Sequence, residues 1–224
     1  KLTIMKRTQK LSWLFAIVLL LANSTVSLSQ SVKDFFSNSS TPLTYLGIDY
    51  TQNRLINDPG GNASDIKGRL YNSMNEVVVN EMGKNYNITG AFDRSAGVTT
   101  DIAAVTARNE KINASEIMSS APSDFNRLKE DDIAKCVKAL DLKGKDGVGL
   151  VFIMEGMRKD EKKSYGAVWV TLIDMKTKKV LMTERMEQEA AGFGFRNFWV
   201  SIIKKSIVEI DKKSYKAWKK TYGG

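Results

Sequence analysis

The chain has 224 residues, no histidine, one cysteine and a formal charge of +9. A lone Cys136 excludes an intrachain disulfide, and the lack of histidine removes the commonest general base and metal ligand. The length suits one domain with a core that needs no staples.

Taken in chain order, Lys6, Arg7 and Lys10 precede an apolar run from Leu11 to Ala22, and Ser27-Leu28-Ser29 places small residues where a signal peptidase reads. Residues 1–29 are therefore expected to be a secretion signal cleaved near Ser29, and the rest secreted or periplasmic. Asn23, Ser24 and Thr25 end the apolar run short of the roughly 20 residues a spanning helix needs. No transmembrane span is expected after cleavage. No cysteine follows the run, so a lipid anchor is not expected. Loss of the leader's four basic residues leaves a balance of +5.

Residues 30–43 are polar and Ser/Asn-rich, the composition of a flexible lead-in, and residues 44–224 read as a single α/β domain. Thr44 to Tyr50 reads as a strand, and Asp58-Pro59-Gly60-Gly61 as a turn. Ile66, Leu70, Met74, Val77 and Val78 keep the helical period, predicting a helix over 64–82 capped by Ser64 or Asn62. Tyr86 to Arg94 reads as a second strand. Gly97 to Ser120 has no clear period, and its Ile102 and Val105 fit a short helix or an edge strand. Phe125, Leu128, Ile133, Val137 and Leu140 mark the buried side of a helix capped by Ser123, with Cys136 as a small buried hydrophobe.

Val148 to Met154 is a near-continuous apolar run suited to a strand buried on both faces. Tyr165 to Asp174 and Val180 to Met186 follow it, predicting a three-stranded antiparallel meander. The last helix runs to about Tyr222. Its apolar stripe is Phe195, Phe198, Trp199, Ile202, Ile203, Ile207 and Ile210, with lysines opposite. The fold class predicted is α/β (α+β): a mixed sheet of about five strands ending in the meander. Two to three helices, including the long C-terminal one, pack mainly on one face.

Several residues are candidates for function. Gly192-Phe193-Gly194-Phe195-Arg196-Asn197 precedes the last helix, but Asn197 stands where a G-x-G-x-x-G phosphate loop needs its third glycine. The glycines therefore read as a tight corner. Phe193 or Phe195, if exposed, and Arg196 become partner anchors, because aromatics and arginine dominate interface energetics. Trp218 and Tyr222 lie past the core stripe and are expected to be free for a partner or membrane. From Phe195 onward there are eight basic residues and two acids, a charge that attracts anionic surfaces. No nucleic-acid-binding motif accompanies it, so nucleic acid is not expected. Met154, Met157, Met175, Met182 and Met186 read as core filling, and Glu184, Glu187 and Glu189 as a solvated strand end. Asn38, Asn62, Asn87 and Asn113 each open an N-x-Ser/Thr sequon. No cofactor motif, metal set or catalytic constellation is legible. A non-enzymatic module binding an envelope protein or an anionic surface is the leading expectation. A hydrolase or small-ligand protein with a carboxylate-based site, or a peripheral membrane-surface protein using the basic C-terminal helix, is the alternative.

The phrases GVGLVFIMEGM, VWVTLIDMKTKKVLMTERM and GFGFRNFW resemble a family of uncharacterised secreted Bacteroidetes proteins. More distantly, the strand, Asp-x-x-Thr-x-x-Val, strand, small-residue loop, helix pattern at Val170 to Ile203 resembles the α/β domain of the TolB N-terminal region, CsgG and LpoB-type lipoproteins. That resemblance implies a domain that binds other envelope components. Lys178 stands where those families usually carry glycine, and the lipidated cysteine of the lipoprotein members is absent.

Overall fold

The computed structural model describes residues 31–224, and the expected secretion signal lies outside them. Among the described residues, seven strands form one mixed sheet with six helices around it, contiguous helical stretches counted as one. The strands are β1 (Leu43–Asp49), β2 (Arg54–Ile56), β3 (Val98–Thr100), β4 (Met118–Ser119), β5 (Val148–Lys159), β6 (Ser164–Asp174) and β7 (Lys179–Glu189). The helices are α1 (Val32–Ser37), α2 (Ala63–Asp65, Ile66–Leu70, Tyr71–Asn80), α3 (Ile88–Ala91), α4 (Ala103–Asn109), α5 (Glu130–Lys138) and α6 (Phe195–Glu209, Ile210–Ser214, Tyr215–Tyr222). In α2 and α6 the middle stretch is a π-turn.

The sheet is five strands wide because two positions are each shared by two short strands. β5 is central. β6 pairs antiparallel along its whole length, and β7 pairs antiparallel with β6, so the predicted meander is present. On the other edge β1 lies parallel to Val148–Ile153, and β2 parallel to Gly156–Arg158. β3 and β4 then extend β1 and β2, again in parallel. Past Tyr45, where β3 stops pairing, two buried asparagines complete the edge of β1. Asn75 of α2 accepts from Ile48 N at 2.7 Å, and Asn109 of α4 accepts from Tyr50 N at 2.8 Å. Both amides also donate to Ile48 O, at 3.1 and 2.9 Å, so side chains supply the bonds a strand would have made.

Helices cover both faces of the sheet, not mainly one. α1, α2, α3 and α6 bury Leu43, Tyr45, Ile48, Leu150, Phe152, Met154, Val168 and Val170. α4 and α5 bury Leu46, Val151, Ile153, Trp169 and Ile173 on the other side. The apolar run of β5 demands this, since its first ten residues are all buried. The five methionines of the meander are core residues, none more than 4% exposed.

Three other expectations are corrected, and one stretch left open is resolved. Residues 31–37 are no flexible lead-in: Ser31 caps α1, and Phe35 and Phe36 are completely buried. Tyr86 to Arg94 is not a strand. A single bridge joins Met82 to Tyr86, and Asn87 then caps α3 by accepting from Gly90 N at 3.0 Å. A local side-chain bond here outcompetes the sheet ladder. Gly97 to Ser120 resolves into β3, α4, a 3₁₀ turn at Ala114–Glu116 and β4. Ser123 caps no α-helix. Pro122–Asn126 is a 3₁₀ turn, and α5 starts at Glu130. Asn62 does cap α2, accepting from Asp65 N at 3.0 Å. Asn87 and Asn113 also act as caps and Asn38 accepts from Ser40 N at 2.9 Å, so all four of these sequon asparagines have a local structural use.

Candidate functional site

The corner between β7 and α6 is the most exposed apolar feature among the described residues. Gly192 (φ 118) and Gly194 (φ 73) adopt left-handed backbone that L side chains rarely tolerate. A Cβ on Gly192 would stand 3.2 Å from Asn197 O, so the chain folds back tightly on the first turn of α6. Ser201 accepts from Ala191 N at 2.9 Å and holds the corner down. The two glycines leave Phe193 at the tip, 94% exposed. Phe195 instead turns inward, 6.3 Å from the Trp199 ring. Arg196 is exposed, and its Nε donates to Asn197 Oδ1 at 3.0 Å.

The other end of α6 is organised differently from the expectation. Trp218 is only 4% exposed, stacks near Phe36 and Phe92, and donates its indole N–H to Glu184. It belongs to the interior, because α1 folds over it, and is not free for a partner. Tyr222 is 36% exposed and stacks on Phe36 at 5.8 Å.

Among the described residues four carboxylates are buried, Asp49, Asp58, Glu155 and Asp174, and the sequence reading singled out none of them; Asp58 pairs with Lys159 at 2.8 Å. Glu155 is fully buried at a bulge in β5, the extra residue where pairing steps from Met154–Val168 to Gly156–Ala167. One carboxylate oxygen accepts from Arg127 N at 2.6 Å and Leu128 N at 2.7 Å. The other accepts from Trp169 Nε1 at 3.1 Å and Arg185 Nε at 2.7 Å. With four donors on two oxygens, this carboxylate is committed to binding β5, β6, β7 and the lead into α5 together. It has no capacity left for proton transfer. Its signal was an acid within an otherwise apolar strand, since a buried polar group is the informative exception.

Asp49, at the end of β1, accepts from Thr51 N at 2.8 Å and Thr51 Oγ1 at 2.6 Å, and its Oδ2 lies 2.9 Å from Arg108 Nε. Arg108 also donates to Cys136 O at 2.6 Å. Thr51 and Arg108 of this group line a cleft of about 410 Å³ together with Arg54, Lys111, Glu116, Asp141 and the small side chains of α4. Arg54 approaches Glu116 at 3.6 Å, so the lining charges largely neutralise one another. Burial pushes the Cys136 thiol up to about 11, away from nucleophilic use. Glu189 pairs with Lys163 at 2.9 Å, and Glu187 lies 3.6 Å from Arg185. Among the described residues no cluster of acids and cysteine is arranged to hold a metal ion.

No family model and no curated protein matches this chain. Among solved structures, lipoprotein GNA1162 from Neisseria meningitidis is similar at 14% identity and a TM-score of 0.28, over 75% of this chain and 96% of that one. The LpoB C-terminal domain from Salmonella enterica is similar at 9% identity and a TM-score of 0.23, over 70% of this chain and 95% of that one. At such TM-scores the likeness carries no functional argument, and the function is read from this chain's own surfaces. Among the described residues no helix is long and apolar enough to cross a membrane.

Proposed function

We propose that this protein is a non-enzymatic, secreted or periplasmic domain that binds another protein of the cell envelope through the Gly192–Asn197 corner. Phe193 carries the reading. A phenylalanine 94% exposed on a loop fixed by two left-handed glycines is a pre-ordered anchor, with Arg196 beside it in the chain for a charged contact. Glu155 favours a binding role over catalysis, because both its oxygens are engaged by internal donors, and Asp49 is held by Thr51 and paired with Arg108. The cleft beyond β1 favours a second reading, a small-ligand site, through Arg54 and Lys111 at its rim.

The test is in-cell cross-linking of the tagged protein, with Phe193→Ala and Arg196→Ala beside the wild type. The expected result is one envelope protein recovered by wild type and lost by both variants. Recovery unchanged by either variant overturns the role of the corner. A wild type that recovers nothing above background moves the weight to ligand screening of the cleft.

A further inference from the structure

The two ends of α6 differ in chemistry, and the C-terminal end combines charge with a position that neither shows alone. From Ile210 to Gly224 the chain carries five lysines, Lys212, Lys213, Lys216, Lys219 and Lys220, and one acid, Asp211. All five lysines are exposed. Lys219 approaches Asp93 at 3.5 Å, whereas Lys212, Lys213, Lys216 and Lys220 meet no acid at ion-pair distance among the described residues. Lys216, Lys219 and Lys220 stand at i, i+3 and i+4, the spacing that puts side chains on one helical face. Other acids near this end accept hydrogen bonds from uncharged donors. Glu184 accepts from Trp218, Glu209 accepts from Gln188, and Asp34 accepts from Ser31.

The start of the described chain lies at the same end. Phe36 of α1 stacks on Tyr222 at 5.8 Å and lies 6.5 Å from Trp218, and a Cβ on Gly223 would stand 3.2 Å from Phe36 Cβ. α1 adds exposed Lys33.

We propose that the C-terminal end of α6, with Lys212, Lys213, Lys216 and Lys220 foremost, rests on an anionic lipid surface. Unpaired ammonium groups on flexible stems gain from a negative surface potential without losing internal partners. The apolar stripe of α6 stays in the protein core, so the contact is electrostatic and weakens with salt. α6 is 28 residues long over its three stretches, which separates its two ends by about 40 Å. Phe193 is thereby held away from the lipid, where a protein partner can reach it. This docking does not depend on the partner reading, and the test below contains no protein partner.

The test uses residues 31–224, which carry every strand, helix and core contact described. Co-sedimentation is measured with vesicles of phosphatidylcholine alone and of phosphatidylcholine mixed with phosphatidylglycerol, at low and raised salt. Lys212→Gln/Lys216→Gln/Lys220→Gln is compared with a control of equal charge loss, Lys138→Gln/Lys143→Gln/Lys162→Gln, on exposed residues elsewhere. The expected result is salt-sensitive binding to the anionic vesicles only, lowered on the order of a hundredfold by the α6 variant and only a few-fold by the control. Equal loss in the two variants overturns the proposal, since net charge alone then explains binding. Equal binding to neutral vesicles, or no binding by the folded wild type at low salt, also overturns it. So does capture by a soluble anionic polysaccharide without vesicle binding, which assigns the face to a glycan.

Discussion

The Glu155 carboxylate lies 2.7 Å from the Arg185 guanidinium, although their strands are separated by β6, whose Trp169 donates to the same oxygen. A completely buried acid paired in this way is expensive to unpair. Glu155→Ala is expected to lower unfolding free energy by about 3–5 kcal/mol, because Arg185 and two backbone N–H groups lose their acceptor. Urea titration measures this. A loss below about 1 kcal/mol, the size of an ordinary exposed pair, would show that the node is not the clamp described.

Arg94 ties the first helix to the last. It is 3% exposed and donates to Phe92 O at 2.6 Å, Phe35 O at 3.0 Å, Asn38 O at 3.1 Å and Tyr215 OH at 2.8 Å. Arg94→Ala is expected to cost roughly 3 kcal/mol and to loosen α1. Limited proteolysis then cuts within residues 31–42 faster than in the wild type. Unchanged cutting there would mean that Phe35 and Phe36 hold α1 without the guanidinium.

Alkaline pH should destabilise the fold. Burial raises the Cys136 thiol from an ordinary 9.0 to about 11, and burial, then Glu81, raises Tyr86 from 10.0 to about 12. Burial raises Tyr45, Tyr50 and Tyr71 as well. Each group holds its proton more tightly folded than unfolded, so its stabilisation is intact below pH 9 and fades as pH climbs through 9–12. Melting temperature should fall steadily over that window, and Cys136 should resist thiol reagents at pH 8 until the protein unfolds. Rapid labelling of the native protein contradicts the burial of this thiol.

Two glycines on different helical contacts should respond in opposite directions. A Cβ on Gly166 of β6 would stand 2.6 Å from Ile202 Cγ1, so Gly166→Ala pushes α6 off the sheet and should cost about 1–3 kcal/mol. Gly68, in the π-turn of α2, has nothing within 4 Å of its would-be Cβ. Gly68→Ala should stabilise by about 0.5–1 kcal/mol through the unfolded chain's lost freedom. Thermal melts of the two variants give the signs directly.

Local pattern alone specified the elements whose signal is periodic. The alternation and apolar runs of β5, β6 and β7 gave the meander, the 3.6-residue stripe gave α2 and α6, and Asn62 gave a cap, because side-chain period and capping are properties of neighbouring residues. The glycine pair at 192 and 194 was legible as a corner for the same reason. Which phenylalanine points outward was decided only by packing: Phe195 meets Trp199, and Phe193 meets nothing large. The tertiary structure also decided that α1 exists, since a six-residue helix gains its stability from burying Phe35 and Phe36 against residues nearly two hundred positions away. β2, β3 and β4, with two or three residues each, carry too short a pattern to read, and they exist because β5, β1 and β2 respectively offer them an edge. The roles of Glu155, Asp49 and Arg94 belong to the same class. A charge can be buried only where donors or acceptors from several distant segments converge, and only the folded chain brings those segments together.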